Sequence, residues 1–425
     1  MPYENNHYIP RFILRRFGDR INRFNLETGE FKCKGSLWKA FSSKNIYPEW
    51  LEHMLSDLET RMANLIDAKV LKAEGMVTLI RSDNWLIKKF FTVATLRVPE
   101  SSLMSKRHLD SVEDLKRDGF KETTINGESD LEYAYRTLKV ILESNSLDEV
   151  YNHPLVTYEA CKWATLFNNC YVSIWDSTNS REDFVIADNG MTCEHDKSRF
   201  KTLVFDGQPF FNVRDEMLKK GYVIKKIKEN ETSNQSKAIF YYQILLNMNY
   251  VHANYYLFAV SDTRTISLIN PFFRLYDDPH YLKTTGEVPN VWPTLLSREA
   301  MKCNSQVYKE FERKNNDDLF IYEIKNISFE DVVTINAMML DRVFRWLGFD
   351  DSAKIVRSLN VYSLIDKAQQ RNHFDKLIEQ LQSLGYEFPN TKKYKDLADR
   401  LLHVTINEAE YKYIKYFFDL IIKKQ

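Results

Sequence analysis

Apolar residues recur along this chain with different periods, and the changes of period divide it. In the opening "NHYIPRFILRRFGDR" (6–20), Ile13, Leu14 and Phe17 share one helical face behind Pro10, and Gly18 suits the end of that turn. "RINRFNLETGEFKCKG" alternates apolar and polar positions on either side of Thr28-Gly29, which predicts a hairpin. From Pro48 the spacing becomes three and four: Leu51, Met54, Leu55, Leu58, Met62, Leu65 and Ile66 predict a long amphipathic helix to about Leu71. A second helix, capped by Ser82 or Asp83, runs through "WLIKKFFTVATLR" and ends near Val98, because Pro99 disfavours helical geometry in the residue before it. Helical spacing continues over 101–118 and 130–145, so the first 165 residues read as mostly helical.

The period then switches to two. "CYVSIWD" (170–176) and "DFVIADNG" (183–190) read as paired strands, and "YYLFAV" (255–260) with "TISLIN" (265–270) repeats the arrangement around Asp262-Thr263. The polar piece "KENETSNQSK" between these pairs has the composition of an exposed loop. Helices return from Phe329 with "FEDVVTINAMMLDRVFRWLG", closed by Gly348 as a C-terminal cap, and charged amphipathic helices follow beyond Asp351. The fold class is α+β: a helical N-terminal region, a central and predominantly antiparallel sheet, and a helical C-terminal extension.

Composition narrows the functional classes. Lys+Arg and Asp+Glu both total 59, so no global field advertises nucleic acid or a basic partner. Glycine is scarce, and neither GxxxxGK[ST] nor GxGxxG occurs, which removes the P-loop and dinucleotide readings and predicts no nucleotide cofactor. The cysteines at 33, 161, 170, 193 and 303 are odd in number and never form a CxxC pair, as expected for free thiols in a reducing compartment. Arginines interrupt the apolar residues from Arg11 onward, so the opening does not read as a secretory leader. No apolar run approaches the ~18 residues of a membrane span. The expectation is a cytoplasmic protein with no membrane partner.

Several landmarks agree in order with a known family. "NHYIPRFILRRF" resembles the signature His-Tyr-x-Pro-x-Phe-x-Leu-(Arg/Lys)-x-Phe of a mainly microbial family catalogued as domain of unknown function 4238. "KNIY" (44–47), the helix with Leu58-Glu59, "LRVP" (96–99), "FVIADNG" (184–190), "SLINPFFRL" (267–275) and "TINAMMLDRVF" (334–344) resemble its later landmarks. Ala187 stands where the family usually has Ser, and Gly190 where it has Pro. The resemblance implies a shared fold and a shared polar site over a core of 1–350, mostly helical over 1–165, sheet-containing over 166–328, and closed by a helix at 329–348. Residues 351–425 read as a helical extension.

The candidate chemistry follows from the residues that need polar partners. His7 and Tyr8 precede the opening helix, beside its N-terminal amides, and Arg11 and Arg15 lie four apart on another face. Glu59 sits next to a core position, and Asp188 ends a strand. If His7, Glu59 and Asp188 converged, they would supply a general base and two hard oxygen ligands for Mg²⁺ or Mn²⁺, with Arg11, Arg15 or Arg97 stabilising a phosphate. The candidate catalytic set is therefore His7, Arg11, Glu59, Arg97 and Asp188, with Glu59 and Asp188 as metal ligands and Tyr8, Arg15, Asn189 and Asn336 contacting substrate. "CEHD" (193–196) lacks a second cluster to complete a zinc site.

Two classes of function fit. The one the candidate set favours is a metal-assisted, nuclease-like phosphodiester hydrolase acting on nucleic acid as a defence effector or toxin. The other is a non-catalytic binding or sensing protein in which the same residues form a buried network and the C-terminal helices dock a protein partner. In the last segment Tyr411, Ile414, Phe418 and Ile421 form an apolar stripe suited to core or to such a partner.

Overall fold

The computed structural model describes residues 6–36, 41–44, 46–97, 122–168, 170–188, 190–193, 204–205, 208–209, 255–269, 283–284, 319–365, 370 and 372–402. Strand β1 (Asn6–His7) leads into α1 (Arg11–Leu14) and a 3-10 turn that ends at Gly18, whose φ of 121° demands glycine. The hairpin forms as expected, from β2 (Arg20–Asn25) and β3 (Glu30–Ser36) with Gly29 at φ 71°, and β4 (Ser42–Ser43) pairs with β1. Helix α2 (Glu49–Leu65) buries Leu51, Leu55, Leu58, Met62 and Leu65 and continues to Val70 as a π-turn.

β5 (Met76–Ile80) precedes α3 (Arg81–Leu96). The α3 N-terminus is capped from Asp83, whose carboxylate accepts the Ile80 N–H at 2.9 Å. Helices α4 (Asp130–Glu143), α5 (Leu147–Tyr151) and α6 (Tyr158–Asn168) complete the helical layer. The helical segment expected over 101–118 lies outside the described residues.

The sheet-forming part comprises β6 (Tyr171–Asp176), β7 (Ile186–Ala187), β8 (Met191–Cys193), the short ribbon of β9 (Val204–Phe205) with β10 (Gln208–Pro209), then β11 (Tyr255–Ala259), β12 (Arg264–Ile269), β13 (Lys283–Thr284) and β14 (Leu319–Asn326). The main sheet runs β13-β14-β6-β12-β11-β8, with β5 also paired to β14. Its pairings are antiparallel except β14 with β6. β11 and β12 form the expected hairpin.

β6 and β7 do not pair. Thr178–Ser180 is a 3-10 turn, Arg181 is left-handed (φ 58°), and the Phe184 N–H donates to Asp262 O at 2.6 Å. These interactions carry the chain out of the main sheet into a second one, β3-β2-β15-β7, where β15 is Trp346–Phe349.

Helix α7 (Phe329–Asp341) starts from a Ser328–Asp331 capping box and stops at Asp341. Gly348 is therefore not its cap. It sits within β15, where a Cβ would lie 2.8 Å from Ile186 Cγ2 and 2.9 Å from Ile21 Cδ1. Helices α8 (Ser352–Ser363), α9 (Asp375–Ser383) and α10 (Lys392–Leu402) follow. Ile355, Leu359, Leu377 and Leu397 join the same apolar core as Leu14, Phe91 and Phe258, so the helices after 351 bury their apolar faces against the preceding residues.

Candidate functional site

Burial decides what Asp188 can do. Its residue is 1% exposed, and its carboxylate is surrounded by donors: Tyr8 Oη gives a hydrogen bond to Oδ1 at 2.8 Å, and the amides of Phe344, Arg345 and Trp346 reach Oδ2 at 2.8, 2.6 and 2.8 Å. Three successive N–H groups converging on one carboxylate form a concavity of donors, so the turn entering β15 is held by hydrogen bonds to Asp188. Burial pushes the Asp188 carboxyl up to about 6 against the opposing pull of these donors. Gly190 closes the turn after it: φ is 64°, a value closed to proline, and a Cβ would meet Phe258 at 2.7 Å and Ile9 at 2.9 Å.

Arg97 is the second centre. It ends α3, is 4% exposed, and its guanidinium donates to Glu59 Oε1 and to the backbone carbonyl of His7. Tyr47 Oη donates to the Arg97 carbonyl. Burial works against the Arg97 charge, but Glu59, Tyr47 and Glu52 outweigh it and hold its pKa above the ordinary value. Asn6 joins the same group, donating to Glu52 Oε1 at 2.6 Å and accepting from the Ile46 amide at 2.8 Å. The Tyr8 amide donates to Phe41 O at 3.0 Å. Consecutive residues Asn6, His7 and Tyr8 are thus fastened to α2, to the end of α3, and to Asp188.

Arg11, which begins α1, is partly buried, and Arg15, which begins the 3-10 turn after it, is exposed; burial together with the Arg15 charge lowers the Arg11 pKa. Arg16 meets Asp67 of the π-turn at 2.7 Å and donates to Ala63 O of α2 at 3.3 Å. Asn336, 1% exposed, serves a different network: its Oδ1 accepts the Val185 amide at 3.0 Å, and its Nδ2 donates to Asp183 O at 2.8 Å and Ser358 Oγ at 3.2 Å. Asn189, His195 and Asp196 lie outside the described residues.

The structure therefore brings His7, Tyr8, Glu59, Arg97 and Asp188 into two adjoining networks that meet at the His7–Tyr8 backbone. Glu59 is bound by Arg97, whereas Asp188 is bound by Tyr8 and the 344–346 amides. Among the described residues, no group of three or more His, Cys, Asp or Glu could hold a metal ion. Tyr47, Glu52 and Asn6 belong to the first network; Glu52, beside the core positions of the long helix, reads from sequence as a solvated residue, but it is half-buried and accepts from Asn6. Tyr47 and Asn6 carried one signal, their places beside the "KNIY" and "HY" landmarks.

Among the described residues, neither Cys161 nor Cys170 is placed as an activated nucleophile. Cys161 and Cys170 are buried, burial pushes both thiols up to about 12, and His153 faces Glu143 at 2.9 Å. No helix among the described residues is long and apolar enough to cross a membrane.

Comparison with known proteins gives one family: the model described as protein of unknown function (DUF4238) matches residues 5–217. That span holds both networks except for the 344–346 amides. No curated protein and no solved structure matches.

Proposed function

This chain belongs to the family of proteins of unknown function DUF4238, and from that premise we propose that it is a non-catalytic binding or sensing protein whose His/Tyr/Arg/carboxylate set is a buried structural clasp. The observation that carries this reading is the coordination of Asp188. Its carboxylate already accepts from Tyr8 and three backbone amides in a place closed to solvent, so a metal ion would have to displace those donors and desolvate in the process. Arg97 supports the same reading, since it is 4% exposed and its guanidinium donates to Glu59 and to the backbone carbonyl of His7.

The competing reading, Mg²⁺- or Mn²⁺-assisted cleavage of nucleic acid at Glu59 and Asp188, separates cleanly in one assay. The purified chain is incubated with RNA, DNA and nucleotides in Mg²⁺, Mn²⁺ or EDTA, beside a Glu59→Gln variant. No turnover above the EDTA control is expected. Metal-dependent cleavage that disappears in a folded Glu59→Gln protein would make the chain a hydrolase and end the clasp proposal.

A further inference from the structure

A second polar centre lies at the end of the main sheet, away from the clasp. There the carboxyl ends of the two parallel strands β6 and β14 and the first residue of β12 meet in one row: Asp176 is the register partner of both Arg264 and Asn326. A cavity of about 390 Å³ opens over this row, walled by Glu74 and Gly75 from the turn before β5 and by Thr178 and Asn179. That size suits a small ligand, and the carboxyl ends of parallel strands are a frequent place for one.

The floor is rigid. Arg264 donates to Asp176 Oδ2 and to Val70 O at 2.7 Å, and the Thr178 amide donates to Asp176 Oδ1 at 2.7 Å. The guanidinium Nε is buried with no hydrogen-bond partner. At the rim the exposed carboxamides of Asn179 and Asn326 bond each other at 3.1 Å, so both can turn to a ligand.

The charges select against ions. The Arg264 charge is answered by Asp176, and Glu74 adds a further negative charge, which disfavours an anion. Both Asp176 oxygens are engaged, which leaves Glu74 as the free carboxylate and disfavours a divalent cation. What remains is a set of planar groups with paired donor and acceptor atoms, the chemistry that matches adjacent hydroxyl groups.

We infer that the Asp176–Arg264–Asn326 cavity is a binding site for a small neutral polyhydroxylated ligand of monosaccharide size. The inference rests on the binding reading above and gives it a ligand class. The test is titration of the full chain with glucose, galactose, mannose and N-acetylglucosamine, followed by ligand-observed NMR. At least one sugar saturates a single site with a Kd of about 1 mM or below, insensitive to salt, and Asn326→Ala and Asn179→Ala each weaken it about tenfold at unchanged melting temperature. The site assignment fails if no sugar saturates, if both variants bind like the parent, or if inorganic phosphate or Mg²⁺ displaces the sugar. A sugar that binds at this site but is chemically altered during the titration upholds the site and overturns the non-catalytic reading.

Discussion

At Asp188 the partners are Tyr8 Oη and the amides of Phe344, Arg345 and Trp346, all of them donors. Asp188→Asn keeps the shape but turns an NH₂ toward N–H groups where an oxygen had accepted from them, so a nearly isosteric change leaves buried donors unpaired. The expected loss is about 1 to 3 kcal/mol of unfolding free energy by urea titration. A variant that unfolds at the midpoint of the parent would show that the concavity holds without the anion. Sequence reasoning reached this residue but not its partners. A strand-ending Asp before Asn-Gly is visible in the chain, whereas backbone amides at 344–346 carry no side-chain signature that could be read.

At the level of elements, the strands and helices with a clear period were legible and the crossings between them were not. The β2–β3 and β11–β12 hairpins and the long α2 helix follow from spacing alone. The alternation of Val77 and Leu79 with exposed neighbours after Gly75 is the sign of β5 in the sequence, and five residues beside strong helical patterns make it a faint one. The assignment of Gly348 to a helix end was overturned by packing: α7 stops at Asp341, and Gly348 lets β15 lie close to Ile186 and Ile21. Gly348→Ala therefore forces contacts of 2.8 and 2.9 Å apart and should destabilise by about 1 to 3 kcal/mol, read as a lowered urea midpoint with an unchanged slope. An alanine variant as stable as the parent would mean that the two sheet strands can separate at no cost.

For the whole molecule, the buried ionisable groups set a pH dependence of stability with two limbs. Lys88, enclosed with its Nζ donating to Asn168 O at 2.8 Å, is pushed down to about 7 by burial, and Lys89, donating to Leu142 O and Ser144 O, to about 8. Between those values and 10.5 the unfolded chain holds protons that the folded chain has lost, so stability rises with pH by up to about 1.4 kcal/mol per unit for each lysine. Asp188 runs the other way. Its pKa is about 6 when folded against 3.8 unfolded, so the folded chain holds the extra proton between them and stability falls as pH rises through that window. Glu52, Glu182, Asp183 and Asp262, also raised chiefly by burial, act in the same sense as Asp188. Unfolding free energy measured from pH 5 to 9 should pass through a minimum near neutrality, and Lys88→Met should flatten the upper limb. An upper limb as steep in Lys88→Met as in the parent would mean that Lys88 keeps its charge inside the core.

The clasp also has a timetable. Tyr8 is fastened by a carboxylate that lies 180 residues downstream and is itself collected by amides up to residue 346. A ribosome adding about 5 to 20 residues per second takes roughly 17 to 70 s to travel from Tyr8 to Trp346. Until Trp346 is made the concavity at Asp188 is incomplete, so Tyr8, although far upstream, is secured late. Closure of the clasp is therefore a late event in the folding of this chain, complete only once β15 is delivered.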